Sequence, residues 1–94
     1  MRLYEGLLIF RPDLEKEEVE KLTQAFEELL QKEGGKVVEK LDWGVRRLAY
    51  PIKKLEEGYY LIFNFEAPAE AIDKLKTAFK TDERVLRKLI TRKK

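Results

Sequence analysis

From residue 2 the chain reads Arg-Leu-Tyr-Glu-Gly-Leu-Leu-Ile-Phe, short and increasingly apolar, which predicts a strand over 2–10. Arg11-Pro12-Asp13 interrupts it. Asp13 is the expected N-cap of a helix, and Glu15, Glu17 and Glu18 stand where a helix N-terminus favours anions. Val19, Leu22, Phe26, Leu29 and Leu30 then recur at helical spacing and form one apolar stripe. Glu17–Lys21 and Glu28–Lys32 are i,i+4 pairs in the favourable order. Gly34-Gly35 should end the helix, because glycine accepts the left-handed conformation that follows one.

Residues 36–43 and 45–52 read as one long strand, interrupted at Gly44 by a bulge or bend. Leu55-Glu56-Glu57-Gly58 is the expected turn. Residues 59–67 alternate, with Tyr59, Leu61, Phe63, Phe65 and Ala67 on an apolar face that should meet the helices. The other face carries Tyr60, Ile62, Asn64 and Glu66. Pro68 starts a second helix whose stripe is Ile72, Leu75, Ala78 and Phe79, with Lys76 and Lys80 toward its C-terminus. Residues 84–91 form a last strand, in which Val85/Arg87/Leu89 and Leu86/Lys88/Ile90 are equally mixed and leave the register open. The order βαββαβ predicts an α+β, ferredoxin-like domain over 1–94, with two helices on one face of a four-stranded antiparallel sheet of order 4-1-3-2. Strand two then lies at an edge, where Pro51, which cannot donate to a ladder, is tolerated.

Charge changes this picture. Of the 94 residues 40% are charged, yet the net charge is only +2. Residues 1–42 hold seven basic and eleven acidic side chains, whereas residues 43–94 hold thirteen basic and seven acidic. The stretch from Arg84 to Lys94 contains six basic residues and no acid. An anionic partner met by the second half is the functional reading; a solvated basic tail is the plainer one. No stretch is apolar enough to span a bilayer, the start is not that of a secretory leader, and without cysteine there is no disulfide framework. A cytoplasmic protein with no membrane association is expected.

The chain has no His and no Cys, so the commonest general base, the strongest nucleophile and the usual transition-metal ligands are missing. The acids of Glu15–Glu20 read as a solvated helix face rather than a metal site. A small acyl-phosphate hydrolase on this fold needs a Gly-rich phosphate cradle after strand one, and Phe10-Arg11-Pro12-Asp13-Leu14 has none. No enzyme, no cofactor, no metal and no small-molecule substrate are expected.

Two segments suggest binding. In Val45-Arg46-Arg47-Leu48-Ala49-Tyr50-Pro51-Ile52, alternation sends Arg46, Leu48, Tyr50 and Ile52 one way and Arg47, Ala49 and Pro51 the other. Arginine serves both phosphate and carboxylate, so the pair addresses RNA on one side and a protein on the other; edge protection is the alternative. In Glu57–Phe65 Tyr60 is the only aromatic side chain that alternation puts on the open side, which makes base stacking of the RNA-recognition type weak and an apolar Tyr60/Ile62 protein contact stronger. The expected RNA-contacting residues are Arg2, Arg46, Arg47, Arg87, Lys88 and Arg92. Of these, Arg2, Arg87, Lys88 and Arg92 are expected in one neighbourhood through the pairing of strands one and four. Arg46, Leu48, Tyr50, Ile52, Tyr60 and Ile62 are the expected partner-protein surface.

The run Arg46-Arg47-Leu48-Ala49-Tyr50-Pro51-Ile52 resembles the family of the sixth protein of the bacterial small ribosomal subunit. The similarity extends over nearly the whole chain, through Arg2-x-Tyr4-Glu5, Pro12-x-Leu14, Gly34 and Gly58-Tyr59. It implies a ferredoxin-like, non-enzymatic protein that binds the central domain of the small-subunit ribosomal RNA as a heterodimer with the eighteenth small-subunit protein. Some members carry an acidic C-terminal extension; this sequence reads Arg92-Lys93-Lys94 there. Two other readings are a free-standing RNA-recognition-type module for single-stranded RNA and a homo-oligomeric ligand-binding domain of the same topology. The poor aromatic face argues against the first, and the basic C-terminus without a Gly-rich loop against the second.

Overall fold

The computed structural model describes residues 2–78 and 80–93. The elements are β1 (Arg2–Phe10), α1 (Lys16–Lys32), β2 (Lys36–Ile52), β3 (Leu55–Ala67), α2 (Ala71–Thr77) and β4 (Val85–Arg92). All pairings are antiparallel and the sheet order is β2-β3-β1-β4, the expected ferredoxin-like arrangement with β2 at an edge.

One face of the sheet is closed by the helices. Tyr4, Leu8 and Phe10 of β1 and Leu61, Phe63, Phe65 and Ala67 of β3 meet Val19, Leu22, Phe26 and Leu30 of α1 and Ala71, Ile72 and Leu75 of α2. Phe26 is central: its ring lies 4.9 Å from that of Phe63 in a stacked pair and 6.0 Å from Phe65 in an edge contact. Gly6 leaves room for these rings, since a Cβ there would stand 3.2 Å from Phe65.

The end of α1 follows from its glycines. Gly34, at φ +88, donates its N–H to the Gln31 carbonyl, and the Gly35 N–H reaches the Leu30 carbonyl. This paired closure satisfies two orphan carbonyls. Gly35 is also sterically required, because a Cβ would lie 2.6 Å from the Glu66 carbonyl oxygen.

Several expectations are corrected. Asp13 does not cap α1: the N-cap is Glu15, and Asp13 instead accepts from the Arg11 guanidinium at 3.3 Å. Neither Glu17–Lys21 nor Glu28–Lys32 closes as an ion pair among the described residues; α1 pairs outward, through Glu27 to Lys40 at 3.2 Å. The turn before β3 is not Leu55–Gly58, which belongs to the strand, but Lys53-Lys54, both at positive φ (51° and 67°) between the paired residues Ile52 and Leu55. That is the two-residue hairpin loop whose twist suits the flanking strands, formed without the usual Asn or Gly. α2 is shorter than its stripe suggested, because Ala78 is already extended; Phe79 lies outside the described residues. Finally, β4 resolves its register by placing Lys88 opposite Leu8 and Ile90 opposite Gly6 on the helix side, and Arg87 and Leu89 opposite Ile9 and Leu7 on the open side.

Candidate protein and nucleic-acid interface

The open face is shaped by β2, which is too irregular to be a simple edge strand. Its register against β3 shifts between Val37 and Glu39, between Asp42 and Gly44, and between Arg47 and Ile52. The second shift is the expected bulge, with Gly44 at φ +71. Asp42 fixes it: its carboxylate accepts the Gly44 N–H at 3.0 Å and the Tyr59 hydroxyl at 2.7 and 2.5 Å. Burial, and then the Asp42 carboxylate, push the Tyr59 phenol up to about 12. Because Trp43 and Gly44 together face Tyr60, the parity of the strand inverts beyond them. Trp43 lies beside Tyr60, ring centroids 6.5 Å apart at 22°, and Arg46 places its guanidinium 5.3 Å from the Trp43 ring centroid.

The third shift is larger. Residues 48–51 have no ladder partner between Arg47↔Glu57 and Ile52↔Leu55, so this part of β2 leaves the sheet edge. Leu48 is buried over Gly58, where a Cβ would stand 2.5 Å from Ile9 Cγ2 and 3.3 Å from Leu48 Cδ2. Tyr50 reaches β4 at the opposite edge: the Arg87 guanidinium donates to its hydroxyl and lies 5.9 Å from its ring centroid. The segment therefore folds across the open face. Under it is a depression of about 150 Å³ lined chiefly by Ile9, Leu48, Tyr50, Tyr60, Arg87 and Leu89.

Of the expected protein-contact residues, Leu48, Tyr50, Ile52 and Tyr60 thus line one depression. Ile62 lies buried in the same face, opposite Leu7 and Leu41, and Arg46 stands at its β2 rim. Tyr50 is 55% exposed and is not a core residue. The sequence reading missed Trp43, 48% exposed, and Leu89, 45% exposed. A bulge predicted at Gly44 was the available signal for Trp43, since an inserted residue inverts the faces that follow.

The expected cluster of Arg2, Arg87, Lys88 and Arg92 is not one neighbourhood. Arg2 and Arg92 sit near one end of the sheet, Arg92 opposite Tyr4, while Arg87 is opposite Ile9 at the other end on the open face. Lys88 points the other way, under α2, where its ammonium donates to the Ala78 carbonyl. Burial, and then the neighbouring Lys80, pull its pKa below the usual lysine range. Arg47 is exposed, on the side of the sheet opposite Arg46.

The far end of the open face is polar. Asn64, almost buried, donates to Glu39 at 3.0 Å and accepts from Lys93 at 3.2 Å, tying β2, β3 and the residue after β4 together. Among the described residues no three acids converge as a metal site would require, and no helix is long and apolar enough to cross a membrane.

Comparison with known proteins matches this geometry. Residues 3–92 match the family model described as ribosomal protein S6. The chain is 39% identical over 92 residues to the small ribosomal subunit protein bS6 of Carboxydothermus hydrogenoformans, covering 98% of this chain and 96% of that one. It is likewise 39% identical to the bS6 protein of Caldanaerobacter subterraneus subsp. tengcongensis, covering 98% and 97%. The crystal structure of 30S ribosomal protein S6 from Thermotoga maritima superposes with a TM-score of 0.91 at 27% identity, covering 98% of this chain and 87% of that one. On a match that spans nearly every residue of the fold just described, the chain belongs to the ribosomal protein S6 family.

Proposed function

We propose that this chain, by family a structural protein of the small ribosomal subunit and not an enzyme, binds the central domain of the small-subunit ribosomal RNA as a heterodimer with the eighteenth small-subunit protein. One observation carries the reading: an apolar, arginine-rimmed depression on the open face stands apart from a second basic region, Arg2 and Arg92, near the opposite end of the sheet. Two separate surfaces suit two partners. Arg46, Leu48, Tyr50, Ile52, Tyr60 and Ile62 take the protein; Arg2 and Arg92, with Arg47 on the edge strand, take phosphate. Arg87 lies at the rim of the protein surface and reaches RNA only along the margin of the complex. Lys88, with its ammonium already hydrogen-bonded, is the weakest phosphate ligand of the set. The test is a titration of labelled central-domain RNA with this chain, with the eighteenth protein, and with their mixture. The mixture should bind more tightly than either alone; equal affinity for this chain alone and for the mixture refutes the reading.

A further inference from the structure

The register of the sheet places four positions in one row across the open face: Trp43-Gly44 of β2, Tyr60 of β3, Ile9 of β1 and Arg87 of β4. Each edge of that row carries an arginine against an aromatic ring, Arg46 on Trp43 and Arg87 on Tyr50. Between them the floor is apolar, built of Ile9, Leu48, Tyr60 and Leu89 around the depression of about 150 Å³. By strand parity the carboxylates of this face are Glu5, Glu39 and Glu66, which lie with Asn64 toward its other end, and Glu56, which lies beyond Gly58 on β3. The row therefore offers two fixed positive charges and one apolar well, with no acid among the residues lining the well.

We infer that this row is a recognition site for an extended acidic peptide segment, with one apolar anchor between two carboxylates, carried by the protein partner. The inference rests on the heterodimer reading and names the chemistry by which that partner is held. Three strand spacings separate the two edges, about 14 Å. An extended peptide covers that span in about four residues, and its side chains at i, i+2 and i+4 share one face. The pattern acid-x-apolar-x-acid thus sets both carboxylates at the arginines and the apolar side chain into the well. Each ring holds its guanidinium in place, so little rotamer freedom remains to be lost on binding. Of the floor only Tyr60 is aromatic, beside Ile9, Leu48 and Leu89, and the flanking Trp43 and Tyr50 rings already carry guanidinium groups. This favours a peptide over nucleobases, which stack on free aromatic platforms.

Trp43 is the single tryptophan of the chain and reports on the row by its fluorescence. The full chain is titrated with the eighteenth small-subunit protein, with a short synthetic peptide containing Asp-Ser-Leu-Ser-Asp, with its Lys-Ser-Leu-Ser-Lys counterpart, and with single-stranded oligouridylate. The aspartate peptide should shift the emission and bind at least about tenfold more tightly than the lysine peptide. R46E and R87E should each weaken both that peptide and the eighteenth protein by about tenfold or more, compared at equal folded fraction. Their melting temperatures should fall by no more than the few degrees that an exposed cation–π contact is worth. Equal binding of the two peptides overturns the inference, as does a stronger response to oligouridylate than to the aspartate peptide. If the eighteenth protein binds both glutamate variants as tightly as the wild type, the heterodimer stands and the acidic-segment site falls. If the aspartate peptide behaves as expected while the eighteenth protein fails to bind the wild type, the site stands and the named partner is wrong.

Discussion

Leu48 and Tyr50 are two residues apart and have opposite fates. Leu48 is 8% exposed against Ile9, whereas Tyr50, at the margin of the depression, is 55% exposed and carries Arg87 on its ring. Leu48→Ala should therefore cost about 2 kcal/mol or more, as loss of a packed aliphatic side chain does. Tyr50→Ala should cost no more than about 1 kcal/mol, the worth of an exposed cation–π contact. Denaturant melts of the two variants check this, and a reversed order would return Tyr50 to the core. In the docking assay Tyr50→Ala should still weaken the partner complex, because exposed aromatic anchors dominate such interfaces. Tyr59 supplies a prediction in pH. Its folded-state pKa of about 12 lies above the ordinary value of 10.0, so the folded state holds its proton longer than the unfolded one. The associated stability is complete below pH 10 and is lost as pH rises toward 12. Tyr59→Phe should flatten this alkaline loss in melts taken across that range; an unchanged slope would show that burial and the Asp42 bond do not hold the Tyr59 proton in solution.

Among the elements, β2 is the informative one. A regular strand of its length would keep Trp43 and Arg46 on opposite faces; the bulge at Gly44 brings both to the open face. Gly44 is at φ +71 and a Cβ there would meet nothing within 4 Å, so only backbone strain opposes a side chain. Gly44→Val should cost about 1–3 kcal/mol through that strain and lower partner affinity further, by loosening the Trp43–Arg46 pair. Gly44→Asn, which tolerates the left-handed region, should recover most of both. Partner binding by the two variants, compared at equal folded fraction, decides the matter: equal affinity would separate the bulge from the interface. The helices belong to the other face, where α1 also walls a depression of about 390 Å³ beside Lys40, Asp42 and Tyr59. α1 has its stripe in the core and α2 is short, so both serve mainly to close the other face.

For the whole molecule, the two basic regions should differ in what they contribute to salt dependence. Removing one phosphate contact lowers the slope of log K against log salt by about 0.7–0.9. In the heterodimer, Arg2→Ala and Arg92→Ala should show that decrement. Lys21→Ala, on the acid-rich helix α1, should leave the slope unchanged, and Lys88→Ala should lower stability more than the slope, because its ammonium closes on α2. If Arg92 and Lys21 behave alike in RNA titrations over a range of salt, the assignment of the Arg2–Arg92 end to RNA is wrong.

Element order, strand parity in β3, the α1 stripe, its glycine stop and the edge position of β2 were all legible in the sequence. They depend on local periodicity and on the conformational freedom of Gly34, which neighbouring residues express without help from distant ones. The family was legible as well, in Arg46–Ile52. The details of the candidate site were not. The Lys53-Lys54 turn uses positive φ in residues that do not advertise it, and the strand parity beyond Gly44 depends on where the bulge takes up its extra residue. The choice between Arg87 and Lys88 for the open face depended on a strand equally mixed on both sides, which periodicity cannot rank. Only tertiary structure decided it, because burial of Ile90 against the core and the approach of Lys88 to α2 select one register. The same holds for the Tyr50–Arg87 pair: its members are 37 positions apart and on opposite edges of the sheet, and they meet only because Gly58 leaves space for Leu48 to bring the β2 segment across the face.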